Sequence, residues 1–384
     1  MPYAILGINP GHNGSAALVV DGSLVYYAEE ERISRMKYDG NPFRAMLHCL
    51  QLTPIDELII GGTLPELSKL PWTMEDAYTA LARKFNPNIK VSYMGQQHHL
   101  GHAASAFYGS GFKTAVAVIV DGAGSLHNAR MGTDENSPTV SGFETESIYK
   151  CSYPNNFEPI YKRYSNGVDP HFENNIQEFD NAVTITKAYE AVSHYLEFGF
   201  IEAGKTMGLA PYGRESDLIP DFFVEGKGNK NLLIPRYPAG AFIDQDRFPQ
   251  LKKTVSSKEW YYDFTKCTAR DKNIAYKVQK ETEEQVMHLI KKAVLTTGEK
   301  HVVIAGGYGL NCVANYRYLQ EFSDINIYVD PISNDGGTAI GLALLAWHVY
   351  SKSEKVTPRT TLYLGTDSNY SELQSILNTV RLNI

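Results

Sequence analysis

Two strand-rich stretches, one at the N-terminus and one near residue 114, constrain the fold of this chain most strongly. The first runs from "YAILGIN" through "SAALVV" and an Asp-Gly turn to "LVYYAEE", which is typical of a three-stranded meander. The second begins with "TAVAVIVDG", an apolar strand that ends in a turn, and returns through "AGSLHNARMG". The repetition predicts a duplicated α/β fold with two lobes and a cleft between them.

Helices and strands alternate after each meander. Helical periodicity is present over 181–200 and 276–297, and the apolar run at 336–350 predicts a further helix. The run "HVVIAGG" at 301–307 predicts a buried strand that enters a glycine turn.

The lobes are predicted to span residues 1–112 and 113–350. Residues 214–262 are charged, contain Pro and Gly, and lead into the aromatic run "KEWYYDF" at 258–264, so they predict a surface insertion on the second lobe. Residues 351–384 are predicted to form a linker that contains a short strand and ends in half a helix. We therefore expect the chain to be cut short.

Charge and cysteine content limit the class of protein. The formal net charge of the 384 residues is −7 and no basic run is present, which argues against nucleic acid as a partner. The 4 cysteines lie far apart without a C-x-x-C pair, which suits a reducing compartment. No apolar run reaches the length of a membrane span, so we expect a soluble cytoplasmic protein.

Three histidines fall within "QQHHLGHAASAF", which predicts the start of a helix. His98 and His102 are four residues apart, so their side chains share one helix face and could grip one metal ion. His99 points about 100° away from that face and cannot join them. Ordinary helix histidines remain the alternative.

Two aspartates could complete such a site. Asp121 ends the apolar strand "AVAVIVDG", where an acid is costly unless it is paired or ligated. Asp335 precedes a predicted helix, where an N-cap is as good an explanation as ligation. Two imidazoles and two carboxylates suit iron, manganese or zinc.

Two glycine-bearing stretches could face an anion. "AGGYGLNCVAN" at 305–315 joins a buried strand to a helix, so its backbone N–H groups could meet a phosphate or ribose, although it has neither P-loop nor Rossmann spacing. "EAGKTMGLAPYG" at 202–213 places Lys205 on a predicted loop between glycines. Plain packing and a solvated lysine are the alternatives.

His12 and Lys37 are predicted at one end of the first sheet. His12 lies on a turn between two buried strands, and histidine is the side chain best able to exchange a proton near neutral pH. Lys37 ends the run "EEERISRMK", which could equally be a solvated face.

Seven stretches, in this order, resemble the motif series of the NodU/CmcH-type O-carbamoyltransferases between about residue 3 and residue 350. They are "GHNGSAALVVDG", "EEERISRMK", "HHLGHAASAF", "IVDGAGS", "GKTMGLAPYG", "AGGYGLNCVAN" and "NDGGTAIG".

The resemblance implies the duplicated actin/Hsp70-like fold and a metal, usually assigned as iron(II), with manganese or zinc as alternatives. The implied ligands are His98, His102, Asp121 and Asp335.

The resemblance also implies the chemistry. Carbamoyl phosphate and ATP form carbamoyl adenylate in a C-terminal YrdC-like domain, and the N-terminal domain transfers the carbamoyl group to a hydroxyl. His12 then corresponds to the base on the acceptor hydroxyl, and Lys37 faces the phosphate or the acceptor. The implied cofactor-binding residues are Asp121, Gly122, Lys205, Gly208, Gly306, Gly307 and Asn311.

The adenylating domain is not present in this sequence, so an adenylating partner in cis or in trans is expected. The acceptor is expected to be a small hydroxylated molecule such as a sugar, a nucleoside or another natural product. Aromatic and amide residues in 150–175 and 214–262 are candidates for its wall, and ordinary packing explains them equally well.

Two other functions stay open at this point. A tRNA threonylcarbamoyl transferase would share the fold, although the acidic charge and the stretches at 29–37 and 202–213 favour the O-carbamoyltransferases. A binding module that keeps metal and nucleotide pockets but performs no chemistry is the other alternative.

Overall fold

A computed structural model describes residues 2–64, 67–71, 74–167, 171–253 and 267–365 of the chain. The strands within these ranges are β1 Ala4–Asn9, β2 Ser15–Val20, β3 Ser23–Glu29, β4 Glu57–Ile60, β5 Lys90–Tyr93, β6 Thr114–Val120, β7 Leu126–Arg130, β8 Thr139–Ser152, β9 Asn156–Ser165, β10 Phe172–Glu173, β11 Gln177–Asp180, β12 Phe223–Val224, β13 Lys227–Gly228, β14 Leu233–Pro235, β15 Ala241–Ile243, β16 His301–Ala305 and β17 Asn326–Val329. The helices are α1 Glu30–Ser34, α2 Phe43–Leu52, α3 Ala77–Phe85, α4 His98–Ser110, α5 Ile185–Tyr195, α6 Ala203–Leu209, α7 Ala269–Thr297, α8 Cys312–Glu321 and α9 Gly337–Ser351.

The first large sheet has the strand order β3-β2-β1-β4-β5. Strand β2 is antiparallel to both β1 and β3, whereas β4 runs parallel to β1 and β5 parallel to β4. The Asp-Gly turn predicted between β2 and β3 is present, and both of its residues have the positive φ of a tight hairpin turn.

The second large sheet repeats this arrangement. Its central strands have the order β9-β8-β6-β16-β17, with β8 antiparallel to its neighbours and β16 and β17 parallel to β6. The sheet is extended at one edge by β11 and β10. The same order and the same directions in both sheets confirm the predicted duplicated actin/Hsp70-like α/β fold.

Helices α4 and α9 lie between the two sheets. Helix α9 packs on β1 and β2, α4 packs on β6 and β16, and the two helices pack against each other. A Cβ on Gly341 would lie 1.9 Å from the Gly101 carbonyl oxygen, so glycine is required where the helices cross. Helix α2 covers the outer face of the first sheet, and α5, α7 and α8 cover that of the second. The crossing of α4 and α9 fixes one lobe against the other.

Several elements differ from the expectations. The chain was expected to return beside β6 through the stretch that forms β7, but the strand paired with β6 is β8. Strand β8 is 14 residues long, and it pairs with β7 through its first half and with β6 through its second. Helix α5 is shorter than 181–200, and α7 begins seven residues before the predicted 276.

The stretch 202–213 was expected to be a loop, and the structure instead contains α6 followed by a 3₁₀ turn. Thr206 and Leu209 of α6 are buried, and the Thr206 hydroxyl lies 2.7 Å from that of Ser193 on α5. The packing of α6 on α5 therefore stabilises a helix in a segment whose glycines favoured a loop.

The predicted surface insertion contributes to the core of the second lobe. Its described part forms two hairpins, β12–β13 and β14–β15, and Phe222, Leu232 and Ala241 are fully buried there. The aromatic run at 258–264 and the half helix expected after 365 lie outside the described residues. The strand expected near 361 is not formed within the described residues.

None of the helices described is long and apolar enough to cross a membrane. Cys49, Cys151 and Cys267 are buried, and Cys312 is exposed.

Candidate metal centre and active-site cavity

A cavity of about 810 Å³ lies between the two lobes. Its walls come from the turn after β1, the turn after β6, helix α5, the 3₁₀ turn at 307–310 and the loop before α9. Because the duplicated turns face each other across the cleft, side chains that are distant in sequence meet there.

Helix α4 places two buried histidines next to Asp121 and Asp335, which line the cavity. The start of the helix is fixed by Ser125, whose hydroxyl accepts a hydrogen bond from the His98 N–H at 3.4 Å and donates one to the Gly95 carbonyl at 3.1 Å. The Nε2 atoms of His98 and His102 are 3.2 Å apart. His99 points away as predicted, and its Nδ1 lies 2.7 Å from the Ser147 hydroxyl.

Two carboxylates meet these histidines. The Oδ2 atom of Asp121 lies 3.3 Å from His98 Nε2, and Oδ1 of Asp335 lies 3.6 Å from the same nitrogen and 3.8 Å from His102 Nε2. The side chain of Asp335 does not cap α9, whose N-cap is Gly336 without a side-chain hydrogen bond. Of the two explanations for Asp335 left open by the sequence, the N-cap is therefore wrong.

Backbone geometry holds Asp121 in place. Its Oδ1 accepts a hydrogen bond from the Gly307 N–H at 3.1 Å. Gly306 has φ 91°, and a Cβ there would lie 2.4 Å from the Val120 carbonyl oxygen. Only glycine therefore allows the 3₁₀ turn to approach the end of β6 so closely.

The four side chains form a coupled electrostatic unit. Burial disfavours the charged form of His98, but the carboxylates of Asp335 and Asp121 prevail and raise its pKa to about 10. Burial raises the pKa of Asp335 as well, but His12 and His98 hold it well below its usual range. Burial and Asp335 raise the pKa of Asp121, yet His98 holds it below its usual range. The two buried carboxylates thus require a cation beside them.

A metal ion would satisfy this requirement. One ligand atom from each of His98, His102, Asp121 and Asp335 lies within 4.8 Å of the others. Two imidazole nitrogens and two carboxylate oxygens are a donor set suited to iron, manganese or zinc. The residues present therefore fit the implied metal.

His12 and Lys37 line the same cavity. The His12 side chain is 51% exposed, and its Nδ1 lies 3.4 Å from Oδ2 of Asp335. Lys37 pairs across the cleft with Glu202, and the neighbouring Tyr38 hydroxyl donates to the Ile201 carbonyl at 3.1 Å. These contacts join the two lobes at the cavity mouth.

Some of the predicted nucleotide-binding residues line the cavity and others do not. Gly122, Gly307 and Asn311 line the cavity, and the Asn311 side chain caps α8 by accepting from the Ala314 N–H at 3.1 Å. Gly306 packs against the backbone of Val120, the residue before Asp121. Lys205 and Gly208 are not among the residues described as lining the cavity, and the Lys205 ammonium lies 3.1 Å from Glu202.

Two cavity residues on α5 were missed by the sequence analysis. Lys187 donates to Glu190 Oε2 at 2.7 Å and to the Pro238 carbonyl at 2.9 Å, and both side chains are largely buried. Burial raises the pKa of Glu190 although Lys187 opposes the shift. The sequence did contain a signal for these two residues, because Lys187 and Glu190 are oppositely charged and lie three residues apart in a largely apolar helix.

The segments 150–175 and 214–262 were expected to supply an acceptor wall. Pro238 and Ala239 line the cavity, whereas no described residue of 150–175 does.

Comparison with known proteins finds that the chain is similar to carbamoyltransferases. A family model described as "Carbamoyltransferase N-terminus" matches residues 69–344. An uncharacterized protein of Synechocystis sp. is 27% identical over 425 residues, which cover 97% of this chain and 62% of that protein. Nodulation protein NolNO of Sinorhizobium fredii is 25% identical over 383 residues, covering 93% and 49%.

A 3'-hydroxymethylcephem-O-carbamoyltransferase of Amycolatopsis lactamdurans is 22% identical over 389 residues, covering 92% of this chain and 63% of the relative. The chain thus spans about half to two thirds of the length of these three relatives. Among solved structures, HypF of T. kodakarensis aligns with a TM-score of 0.49 and 14% identity over 91% of this chain and 48% of that one. Because the family model covers most of the chain, the chain belongs to the carbamoyltransferase N-terminal family.

Proposed function

We propose that this chain transfers a carbamoyl group from carbamoyl adenylate to a hydroxyl of a small polar acceptor, with the help of a metal ion. The observation that carries the proposal is the buried group of two histidines and two aspartates, whose aspartates line the same cavity as His12. Membership of the carbamoyltransferase family and similarity to an O-carbamoyltransferase support the same reaction.

The reaction needs one proton removed from the acceptor. The acceptor oxygen attacks the carbamoyl carbon of the mixed anhydride, the bond from that carbon to the phosphate oxygen breaks, and AMP leaves. His12 takes the hydroxyl proton as general base. Asp335, 3.4 Å from His12 Nδ1, would favour the tautomer that carries its proton on that nitrogen. Nε2 would then be free to accept the proton, a contribution of roughly 10²–10⁴ in rate.

The metal ion, held by His98, His102, Asp121 and Asp335, would supply Lewis-acid polarisation of the carbamoyl and phosphate oxygens. The residues of the chain prepare that site by burying two carboxylates beside two imidazoles, where either a protonated His98 or a bound metal ion offsets the carboxylate charge.

The donor is proposed to lie against the second lobe. Gly122 and Gly307 offer backbone close to Asp121, and a Cβ on Gly122 would lie 2.8 Å from Glu190 Oε1, so glycine allows Glu190 to approach. Glu190 and Lys187 present hydrogen-bonding groups on the same wall. The acceptor would then enter from the side of the first lobe, where His12 and Lys37 lie.

Donor synthesis is assigned to a region outside this chain. The relatives are longer than this chain, and we propose that a YrdC-like adenylating domain, in cis or in trans, supplies carbamoyl adenylate from ATP and carbamoyl phosphate. The acceptor is proposed to be a hydroxylated molecule of the size of a sugar or nucleoside.

The test supplies carbamoyl adenylate, made separately, to the metal-loaded chain with a panel of sugars and nucleosides. AMP is quantified by chromatography, and mass spectrometry detects acceptors that have gained one carbamoyl group. We expect AMP and a carbamoylated acceptor to appear with the wild type and not with Asp335→Asn. Equal AMP release by both proteins, without carbamoylated product, would contradict the proposal.

A further inference from the structure

The segment after α9 returns to the core. Within the described residues 352–365, the Arg359 N–H donates to the Gly109 carbonyl at the end of α4 at 3.0 Å. The Leu364 carbonyl accepts from the Tyr27 N–H of β3 at 2.9 Å. The segment, here called the strap, therefore runs from the end of α4 to the edge of the first sheet.

Arg359 is the buried anchor of the strap. Its side chain is 6% exposed and pairs with Asp330, whose side chain is fully buried. The Nη2 atom also donates to the Ser105 hydroxyl at 3.1 Å and contacts the Ser105 carbonyl at 3.4 Å. A planar guanidinium can meet all of these oxygens together, whereas an ammonium cannot.

The partners of Arg359 belong to the elements that hold the metal ligands. Ser105 lies one turn beyond His102 on α4. Asp330 follows β17 and begins the loop that ends at Asp335. Its Oδ1 accepts from the Ile332 N–H at 2.9 Å, and its carbonyl accepts from the Ser333 hydroxyl. One guanidinium therefore ties the histidine helix to the aspartate loop.

The residues around the Arg359 side chain leave room for it and connect the same loop to the first sheet. A Cβ on Gly109 would lie 3.3 Å from Arg359 Cζ and 3.0 Å from the Tyr328 hydroxyl, so glycine leaves room for the guanidinium. A second connection reaches the same loop, since Asn334 donates to Glu29 Oε1 at 2.9 Å and the Tyr27 hydroxyl lies 3.2 Å from that oxygen. Tyr27 is the residue whose N–H meets the strap.

We propose that Arg359 is a positioning residue of the metal centre, which sets the distance between the His98–His102 face of α4 and Asp335. This inference rests on the proposed metal site and goes beyond it, because it assigns part of the site to the strap. Groups that orient metal ligands typically change metal affinity by 10–100-fold when they are removed.

The test is a cobalt(II) titration of the full chain after chelator treatment, followed by the visible ligand-field bands at saturating metal. The variants are Arg359→Gln, Arg359→Lys and Ser105→Ala, and Lys355→Gln, an exposed strap position, is the control. We expect Arg359→Gln to weaken cobalt binding about tenfold or more and to shift the bands. Arg359→Lys and Ser105→Ala should have smaller effects in the same direction, and Lys355→Gln should match the wild type.

A folded Arg359→Gln protein with wild-type affinity and bands would overturn the proposal. Should that variant not fold, wild-type affinity and bands in both Arg359→Lys and Ser105→Ala would overturn it. Failure of the wild type to bind cobalt would overturn this inference together with the metal site. If cobalt binding responds as expected while no carbamoyl transfer occurs, the positioning role stands and only the proposed reaction fails.

Discussion

The turn after β1 and the turn after β6 occupy equivalent places in the two lobes but carry different chemistry. The first presents His12, which is half exposed to the cavity, whereas the second presents Asp121, which is buried against His98. The duplicated fold thus supplies two similar frames, and in the proposed function single side chains make one of them the proton-handling side and the other the metal-holding side.

The two turns also differ in what supports them. The first is held by backbone hydrogen bonds to the loop before α2, from Gly11 to the Gly40 carbonyl and from Gly14 to the Asp39 carbonyl, each at 3.0 Å. The second is bonded to β8 around Glu144, a buried carboxylate that pairs with Lys162. The first turn is thus supported by a loop, and the turn that carries Asp121 by a long strand of the second sheet.

Asp335 is the residue at which the two sides meet, so its substitution should have the largest effect. Asp335→Asn removes a charge that faces His12, His98 and His102. We expect metal affinity to fall by at least about 100-fold and transfer to be lost. Metal titration and the transfer assay measure this, with the exposed Asp324→Asn as control. Retention of stoichiometric metal by Asp335→Asn would count against the site.

His12→Ala should lower the rate of transfer without changing metal content. Transfer from supplied carbamoyl adenylate should fall roughly 10²–10⁴-fold because the general base is removed, while metal content stays at the wild-type level. Single-turnover transfer and elemental analysis on one preparation give both values. His171→Ala, another exposed histidine, is the control. Unchanged transfer in His12→Ala would remove the base assignment.

Lys162→Met tests the support under the second turn. It leaves Glu144 buried without its main partner, which should lower the free energy of unfolding by about 3–5 kcal/mol. Chemical denaturation measures the change, and Lys150→Met, an exposed position on the same sheet, should cost less than about 1 kcal/mol. Similar losses in both variants would show that the buried pair gives the second turn no special support.

The same pair predicts a dependence on pH. Burial opposes the charge of Glu144, but His99 and Lys162 prevail and lower its pKa to about 2 from the ordinary 4.5. A depressed pKa contributes stability above the unfolded-state value, and this stability is lost as the pH falls from about 4.5 towards 2. Wild type should therefore lose more unfolding free energy between neutral and acid pH than Glu144→Gln. An equal loss would contradict the shift.

Lys37 should give the smallest effect. It is 61% exposed and pairs with Glu202, so the pair itself stabilises the protein by at most about 1 kcal/mol. If Lys37 faces the donor or acceptor, Lys37→Gln should lower kcat/KM by about tenfold because a charge-assisted hydrogen bond to the substrate is removed. Glu202→Gln should change kcat/KM less. Equal effects of both substitutions would assign Lys37 to the contact between the lobes instead.

Short stretches of sequence were sufficient to predict that part of the candidate metal centre would come together. The i, i+4 spacing of His98 and His102 and the strand that ends at Asp121 could be interpreted locally, because helix and strand geometry fixes those positions. The sequence alone left two explanations for Asp335, since the choice depends on contacts with α4 rather than on its own loop.

Other features depend on distant parts of the chain and could not be predicted locally. The pairing of β8 with β6 follows from sheet assembly, which a strand pattern does not specify. Arg359 lies in a polar tail that resembles a linker, and its burial arises only when Asp330 and Ser105 are brought beside it. The contact between Lys37 and Glu202 likewise requires both lobes.

The most direct test of the metal centre is the metal content of the anaerobically purified protein, measured by elemental analysis for the wild type and for His98→Ala/His102→Ala. We predict about one iron, manganese or zinc ion per wild-type chain and none in the double variant, because the variant loses two of four ligands. Equal metal in the two proteins, or no metal in either, would contradict a metal centre formed by His98, His102, Asp121 and Asp335.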